Sequence, residues 1–302
     1  MKPWLHLARI SNLPTVWTNV TAAWILSGGG LLDARLAWLI FAGSLLYIGG
    51  MILNDAADVK FDREHRPERP IPSGQVTVKA AWGVGVGMLL AGAFLAFAKG
   101  LAHPVFIAGL LICIVFYDLY HKPWAGSVYV MGACRTMLIW MAGSARLMDL
   151  AATETGSLIC PGFHLGLDAL KYLPRLVVIY GVAIGVYTVA LSMAARSGGK
   201  STVRFLLWMP LVTLLTRNPA DMAKIQAGPV ALIVVLAAFG LLLTVAQARL
   251  RVGKVDAAVG LLLAGFVIAD ALAICTTAPV LALVFVAASP VLRYWQRWIA
   301  AT

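Results

Sequence analysis

Residues 229–248 read PVALIVVLAAFGLLLTVAQA, a run of 20 residues without a charged side chain. A helix needs about 20 apolar residues to cross the hydrocarbon core of a bilayer, so this run is long enough to span it. The whole chain has the same character, since 61% of its 302 residues are hydrophobic and 12% are charged. A soluble domain carries about 25% charged residues. The composition therefore predicts an integral membrane protein.

Nine other apolar segments accompany this run. The ten segments lie at residues 12–28, 34–57, 76–98, 102–120, 126–147, 172–195, 203–216, 229–249, 255–275 and 278–295. Such segments must be helical, because backbone N–H and C=O groups in hydrocarbon find partners only within the segment. No linker or stretch of soluble-domain size interrupts them. The sequence predicts an all-α, polytopic transmembrane bundle of nine to ten spans, with residues 1–302 as one domain.

The cations determine how the chain is expected to lie in the membrane. The formal net charge is +11, but the cations form no basic stripe interleaved with aromatic residues, so no nucleic-acid partner is expected. Most lie between apolar segments, for example at Lys2 and Arg9, in the 58–79 loop and in the 196–204 loop. The positive-inside rule places these parts in the cytoplasm. We expect a multi-pass protein of the plasma (inner) membrane, in contact with membrane lipids.

An acidic segment follows the second apolar run. Five of the thirteen acidic residues lie between Asp55 and Glu68. On a helix that turns ~100° per residue, four oxygen-bearing side chains fall within an arc of ~100°: Asn54, Asp55, Asp58 and Asp62. Clustered carboxylates repel one another unless a cation lies among them. Mg²⁺ suits hard oxygen ligands and commonly joins one or two carboxylates to substrate phosphates, so the segment predicts a Mg²⁺ site.

A basic loop with three prolines comes next, REHRPERPIPSG at residues 63–74. The prolines rule out a regular helix and stiffen the loop. Arg66 and Arg69 can donate forked hydrogen bonds to phosphate oxygens that a metal leaves free. An acidic segment followed by a basic loop is what binding a diphosphate requires. The two together predict a diphosphate-bearing lipid as the substrate.

These residues resemble the first aspartate-rich motif of the UbiA superfamily of intramembrane prenyltransferases. The matching pattern is Asn54-Asp55-x-x-Asp58-x-x-x-Asp62, followed by Arg69-Pro70-x-Pro72-x-Gly74. The resemblance runs through most of the chain. Arg9-x-x-Asn12-Leu13-Pro14-Thr15 is similar to the start of the family's first helix, and Tyr117-Asp118-Leu119-Tyr120-His121-Lys122 is similar to its Tyr-x-x-x-Lys element.

The resemblance implies both a fold and a function. The fold is a helical bundle of typically nine spans, which binds an isoprenyl diphosphate through Mg²⁺ and transfers the prenyl group to an acceptor. It implies that Asn54, Asp55 and Asp58 bind the metal and the diphosphate, with Asp62 supporting them. It also implies a contact between Lys122 and the diphosphate. Asp55, Asp58 and Lys122 are then the expected catalytic residues.

One family feature is missing. Members usually carry a second acidic motif, Asp-x-x-x-Asp or similar, near the end of the sixth span, but residues 191–204 contain no carboxylate. A second Mg²⁺ would therefore lose its protein ligands. Three explanations stay open: Arg196, Lys200 or Arg204 neutralises the diphosphate directly, the donor or acceptor differs, or catalysis is weakened or lost. The first two together are favoured, with Arg196 and Lys200 as expected substrate-binding residues.

Three more polar residues are expected at the substrate. Arg135 lies within the fifth apolar segment, where a charge is costly and faces a cavity or a partner; it either pairs with Asp118 or contacts phosphate. Asp118 either holds Lys122 one helical turn away or takes part in the site. Asn12 lies in the first-helix motif. Asn19, on the same face seven residues later, is expected to bridge helices.

The expected function is Mg²⁺-dependent transfer of an isoprenyl group from an isoprenyl diphosphate to an aromatic or hydroxyl acceptor within the membrane. The active site is expected towards the cytoplasmic face. Two alternatives stay open. One is a phosphoribosyl-type transferase acting on a polyprenyl phosphate, and the other is a non-catalytic protein that binds or transports a lipid diphosphate.

Overall fold

The computed structural model describes residues 2–100, 102–120, 124, 126–147, 169–197, 202–216 and 228–295. Every regular element in these ranges is helical. The α-helices are α1 Lys2–Leu7, α2 Leu13–Leu26, α3 Ala34–Ala57, α4 Val59–His65, α5 Val78–Ala98, α6 Pro104–Tyr120, α7 Ser127–Ser144, α8 Ala169–Tyr172, α9 Arg175–Arg196, α10 Val212–Leu215, α11 Gly228–Arg251, α12 Val255–Ile274 and α13 Pro279–Trp295. Two 3-10 helices lie at Ile10–Asn12 and Thr202–Leu211.

Helices of spanning length and composition confirm the all-helical prediction for the described part of the chain. Five are long and apolar enough to cross a membrane: Ala34–Ala57, Val78–Ala98, Arg175–Arg196, Pro229–Arg251 and Val255–Ile274. Pro104–Tyr120, Arg204–Leu215 and Pro279–Trp295 are apolar but shorter. Each of the ten predicted apolar segments contains helical structure. The number of spans beyond five stays a prediction.

Two side-chain caps fix where helices of the first half begin. Asp33 Oδ1 accepts a hydrogen bond from Arg35 N at 2.9 Å, which satisfies a backbone donor in the first turn of α3. The Arg35 side chain also bonds the carboxylate, at 2.6 Å from Nη2 to Oδ2. These hydrogen bonds lower the pKa of Asp33 to about 2, so the cap stays ionised at neutral pH. Thr77 Oγ1 caps α5 by accepting from Ala80 N at 3.2 Å.

The core lies along α2 and α12. Of the five spanning helices, α12 has the largest buried share of its apolar window, 83%. It packs against α2, α9, α11 and α13, while α2 also packs against α3 and α7. Trp24, Phe239 and Phe266 are fully buried in this core. The acidic end of α3 is thereby held beside α2 and α6.

A second, smaller core anchors the basic loop. Ile71 from the loop and Val76, two residues after the loop ends, are buried with Leu7, Ile52 and Ala81. Val76 N donates to Pro70 O at 3.0 Å, which closes the loop on itself. The apolar end of the loop is thus packed on α1, α3 and α5, and its arginine-bearing part is held next to the α3–α4 junction.

Close packing of α3 and α5 depends on one of three alternating glycines. A Cβ atom on Gly85 would lie 2.6 Å from Leu53 Cγ and 3.3 Å from Gly49 O, whereas one on Gly83 or Gly87 would meet nothing within 4 Å. Only Gly85 of the three therefore lets the helices approach.

Replacing Gly85 by leucine is expected to lower the free energy of unfolding by about 1–3 kcal/mol, because the side chain overpacks the α3–α5 contact. Gly87→Leu, two residues away, is the matched control. It brings the same gain in helix propensity, and a Cβ atom there meets nothing within 4 Å. Denaturant unfolding in mixed micelles checks the difference. Equal stability of the two variants would contradict the packing described for Gly85.

Candidate active site

The acidic wall of the site is built on the α3–α4 junction. Asp58 joins the helices in a helical conformation, with φ −80° and ψ −3°. Asp58 N donates to Asn54 O at 3.0 Å and Asp62 N donates to Asp58 O at 2.9 Å, so helical hydrogen bonding continues through the joint. Asn54, Asp58 and Asp62 therefore recur every four residues along one face. All three are buried, and they line a polar cavity of about 340 Å³.

Asp55 differs from its three predicted neighbours, because it does not line this cavity. Its Oδ1 atom lies 3.3 Å from Arg9 Nη2 and 3.2 Å from Arg69 Nη1. Arg69 Nη1 also lies 2.8 Å from Asp62 Oδ2. The Asp55 carboxylate is thus neutralised by two arginines, one of which reaches it from 46 residues earlier in the chain.

The basic loop supplies the next part of the wall. Arg66 and Arg69 both line the polar cavity, as the loop sequence led us to expect. Arg69 is held by its bonds to Asp55 and Asp62, whereas Arg66 is exposed at the rim. The two arginines therefore bring one fixed and one accessible guanidinium to the cavity.

Residues from three other parts of the chain complete the polar cavity: Arg9, Tyr117, Trp124 and Arg196. Arg9 was assigned no role from the sequence. Its backbone is left-handed, with φ 42° and ψ 49°, the one non-glycine residue of the described chain with positive φ. Such strain persists where the surroundings impose it, often at functional sites. The available signal was its place in the Arg9-x-x-Asn12 motif.

The polar cavity is suited to a polyanion. Four arginines (Arg9, Arg66, Arg69 and Arg196) and two aspartates (Asp58 and Asp62) line it. With the Asp55 carboxylate that pairs with Arg9 and Arg69, one positive charge remains in excess. A guanidinium binds phosphate oxygens through paired, charge-assisted hydrogen bonds. The cavity therefore has the sign of charge and the donors that favour a diphosphate.

A second cavity, of about 320 Å³ and mainly apolar, adjoins the first. The two cavities share three wall residues, Arg9, Tyr117 and Arg196. The remaining lining residues are Asn12, Gly43, Leu46, Tyr47, Gly50, Met51, Leu110, Ile114, Asp118, Met131, Cys134, Arg135, Leu138, Thr188, Leu191, Ser192, Ala195, Val259, Leu263 and Phe266. A charged chamber thus lies beside an apolar one that runs into the bundle.

The oxygen donors of the polar cavity fit a metal that is shared with a phosphate ligand. Within the described ranges no group of three or more His, Cys, Asp or Glu side chains could hold a metal ion. The cavity offers the carboxylates of Asp58 and Asp62 and the carboxamide of Asn54. Mg²⁺ is usually bound by one or two carboxylates together with substrate phosphates, and not by an all-protein cage. The carboxylates of Asp58 and Asp62, beside arginines that can bind phosphate, match this mode of Mg²⁺ binding.

Arg135 corrects one prediction from the sequence. It lines the apolar cavity and not the polar one. Instead of pairing with Asp118, it donates to Asn19 Oδ1 at 2.9 Å and to Thr15 Oγ1 at 3.0 Å, with its guanidinium 4.8 Å from the centre of the Phe266 ring. These partners on α2 and α12 hold Arg135 on the apolar side, and its expected phosphate contact stays a prediction.

Asn19 joins Arg135 to a buried carboxylate. Its Nδ2 atom donates to Asp270 Oδ1 at 2.7 Å, and Tyr180 OH donates to the same oxygen at 2.7 Å. The chain Arg135–Asn19–Asp270 therefore connects α7, α2 and α12 and places opposite charges at its two ends. This fits the helix-bridging role expected for Asn19. Asp270 had no assigned role, because its partners come from distant segments.

The other predicted residues fall into two groups. Asn12 and Asp118 line the apolar cavity, and Asp118 Oδ1 accepts from Asn54 Nδ2 at 3.3 Å, which links the two cavities. Lys122 and Lys200 lie outside the described residues. Their predicted contacts with the substrate stay predictions.

Comparisons with known proteins concern the family and the fold of this chain. The model of the UbiA prenyltransferase family matches residues 14–259. Digeranylgeranylglyceryl phosphate synthase of Metallosphaera sedula is 30% identical over 145 residues, which cover 46% of this chain and 50% of that protein. Protoheme IX farnesyltransferase of Sulfurisphaera tokodaii is 30% identical over 139 residues, or 45% of this chain and 44% of that protein. The chain thus spans about half the length of these curated relatives.

A solved structure extends the likeness to most of the fold. The apo structure of a UbiA homolog from Aeropyrum pernix K1 superimposes with a TM-score of 0.60 at 18% identity, covering 87% of this chain and 95% of that one. At this identity the match concerns the fold alone. Together with the family match, it confirms the resemblance seen in the sequence motifs.

Proposed function

The chain belongs to the UbiA prenyltransferase family, and from that premise we propose that it transfers an isoprenyl group from an isoprenyl diphosphate to an aromatic or hydroxyl acceptor in the membrane. The observation that carries this proposal is the pair of adjoining cavities, which share Arg9, Tyr117 and Arg196. An isoprenyl diphosphate has the same two parts, an anionic head and an apolar tail. The head occupies the polar cavity and the tail the apolar one.

Each part of the polar cavity has its own task. Arg66, Arg69 and Arg196 donate to the diphosphate oxygens, and Lys122 is proposed to join them. Asn54, Asp58 and Asp62 would hold Mg²⁺, which adds positive charge at the diphosphate when bound. Asp55 contacts Arg9 and Arg69, so we assign it to positioning these two cations. This replaces the direct metal contact expected from the motif.

The arrangement favours breaking the bond between the allylic carbon and the diphosphate. As that C–O bond breaks, its electron pair leaves with the diphosphate, and the fixed arginines stabilise the growing negative charge without having to reorganise. The allylic carbon gains cation character at the boundary of the two cavities. The mainly apolar lining of the second cavity disfavours water beside this carbon, so the acceptor is the nucleophile at hand. The new bond forms between the allylic carbon and a hydroxyl oxygen or a ring carbon of the acceptor, which loses a proton.

The charge distribution supports a proposal for the orientation of the chain in the membrane. Arg9, the α3–α4 junction and the basic loop all lie in parts that the positive-inside rule assigns to the cytoplasm. We propose that the diphosphate binds from the cytoplasmic face of the plasma membrane. The two relatives are named for different reactions, the synthesis of digeranylgeranylglyceryl phosphate and farnesyl transfer with protoheme IX, so the acceptor is left to experiment.

The test uses the purified chain in lipid nanodiscs with Mg²⁺ and an isoprenyl diphosphate that carries tritium at the allylic carbon. Hydroxyl and aromatic acceptors are offered separately. We expect release of pyrophosphate in step with the appearance of tritium in one acceptor. Tight binding of the donor with no release under any acceptor would instead identify a binding or transport protein. Reaction only between a polyprenyl phosphate and a phosphoribosyl donor would identify the other alternative.

A further inference from the structure

We propose that Arg196 takes the place of a second metal ion at the diphosphate, so that this chain binds one divalent cation with its donor substrate and not two. The inference deepens the proposed function and rests on it, since it takes the polar cavity to hold the diphosphate. It concerns the wall formed by α9, which ends at Arg196; the sequence from residue 191 to residue 204 contains no carboxylate.

Arg196 is placed to act on both parts of the substrate. It is the last residue of α9 and lines the polar and the apolar cavity alike. Its Nη2 atom donates to Ser127 Oγ at 2.9 Å, and Ser127 is the buried first residue of α7. This bond ties the guanidinium to a second helix. The cation is therefore held at the boundary between the cavities, where the bond to the leaving diphosphate breaks.

The acids that line the cavities all lie away from α9. They are Asp58 and Asp62 at the α3–α4 junction and Asp118 on α6. On α9 the residue one turn before Arg196 is Ser192, which also lines the apolar cavity. Its hydroxyl donates to Thr188 O at 2.8 Å within the same helix. The α9 wall thus offers a cation where a second metal would need carboxylates.

Repulsion between like charges disfavours a second metal ion beside the guanidinium of Arg196. A guanidinium and a divalent cation at neighbouring positions repel each other, and a divalent ion doubles the repulsion that a single charge would exert. A guanidinium also donates directly to phosphate oxygens, as a metal would bind them. Of the basic residues named for this role, Arg196 alone among those described lines a cavity; Arg204, in the 3-10 helix, does not. The structure therefore singles out Arg196.

The test counts bound metal ions without relying on turnover. Mn²⁺ replaces Mg²⁺, and its bound fraction is measured by electron paramagnetic resonance at saturating concentration of an isoprenyl thiolodiphosphate, which resists cleavage. We expect one Mn²⁺ per chain in the wild type. The double variant Ser192→Asp/Arg196→Asp returns carboxylates to the α9 wall and is expected to bind two. Two Mn²⁺ per wild-type chain would overturn the inference and leave the proposed function standing.

A second measurement follows the binding of inorganic pyrophosphate in the presence of a metal chelator. Arg196→Gln is expected to weaken this binding roughly 10- to 100-fold, the range for losing a charged hydrogen-bond partner, and Arg196→Lys to restore most of it. Arg204→Gln, the matched control, should stay within about twofold of the wild type. Unchanged binding in Arg196→Gln would overturn the inference. Failure of the wild type to bind the thiolodiphosphate at all would overturn the proposed function itself.

Discussion

Replacing Asp58 by asparagine is expected to lower turnover roughly 100- to 1000-fold, the range seen when one preorganised electrostatic group is lost from an active site. The side chain is buried on the wall of the polar cavity, and asparagine keeps its size while removing the charge. The loss should appear in kcat even at saturating Mg²⁺, because Asp58 would hold the Mg²⁺ that adds positive charge at the diphosphate. Binding of the lipid tail is expected to change little.

The control for this variant is Glu64→Gln. Glu64 is an exposed acid on α4, six residues further along, and it does not line the cavity. Its neutralisation should leave turnover within about twofold, as expected for a surface charge. Full activity of both Asp58→Asn and Glu64→Gln would contradict a catalytic role for the acidic residues of the polar cavity.

Replacing Asp270 by leucine is expected to lower the free energy of unfolding by about 3 kcal/mol or more, because it leaves two buried donors without their acceptor. Those donors are Asn19 Nδ2 and Tyr180 OH, each 2.7 Å from Asp270 Oδ1. The substitution also removes the negative charge that is linked to Arg135 through Asn19. A buried charge without compensation adds to the cost.

Two further variants separate this network from a general effect of changing an acid on α12. Asp270→Asn keeps an acceptor oxygen and should lose less stability than Asp270→Leu. Asp256→Asn alters an exposed acid in the first turn of the same helix and should change stability by less than about 0.5 kcal/mol. Unfolding in mixed micelles gives all three values. Stability of Asp270→Leu equal to that of the wild type would rule out the described role of the network.

The helices were predictable because a bilayer leaves the backbone no alternative. An apolar run such as residues 229–249 must form its hydrogen bonds internally, and α11 covers that run. The helical repeat also predicted that Asn54, Asp58 and Asp62 lie on one face. They do, because helical hydrogen bonding continues through the junction at Asp58. Local rules therefore located the acidic wall of the site.

What the sequence did not reveal depends on how the helices are rotated against one another. Periodicity placed Asp55 with the other acids. In the structure Asp55 instead forms an ion pair with Arg9 from another segment and does not line the polar cavity. The contact between Arg135 and Asn19 was equally hard to predict, because the two residues are 116 positions apart in the sequence. Neither contact has a signature in local spacing. The absence of carboxylates from the α9 wall was visible in the sequence, whereas the position of Arg196 on both cavities required the fold.

The division of the substrate between the two cavities is tested most directly by photo-cross-linking. An isoprenyl diphosphate analogue with a diazirine at the end of its tail is irradiated with the purified chain, and the labelled residues are identified by mass spectrometry. Label is expected on the apolar wall, at residues such as Leu46, Leu138 and Leu263, and excess unlabelled isoprenyl diphosphate should abolish it. Label on exposed outer residues such as Phe94 and Ile112, unaffected by the competitor, would contradict the assignment of the tail to this cavity.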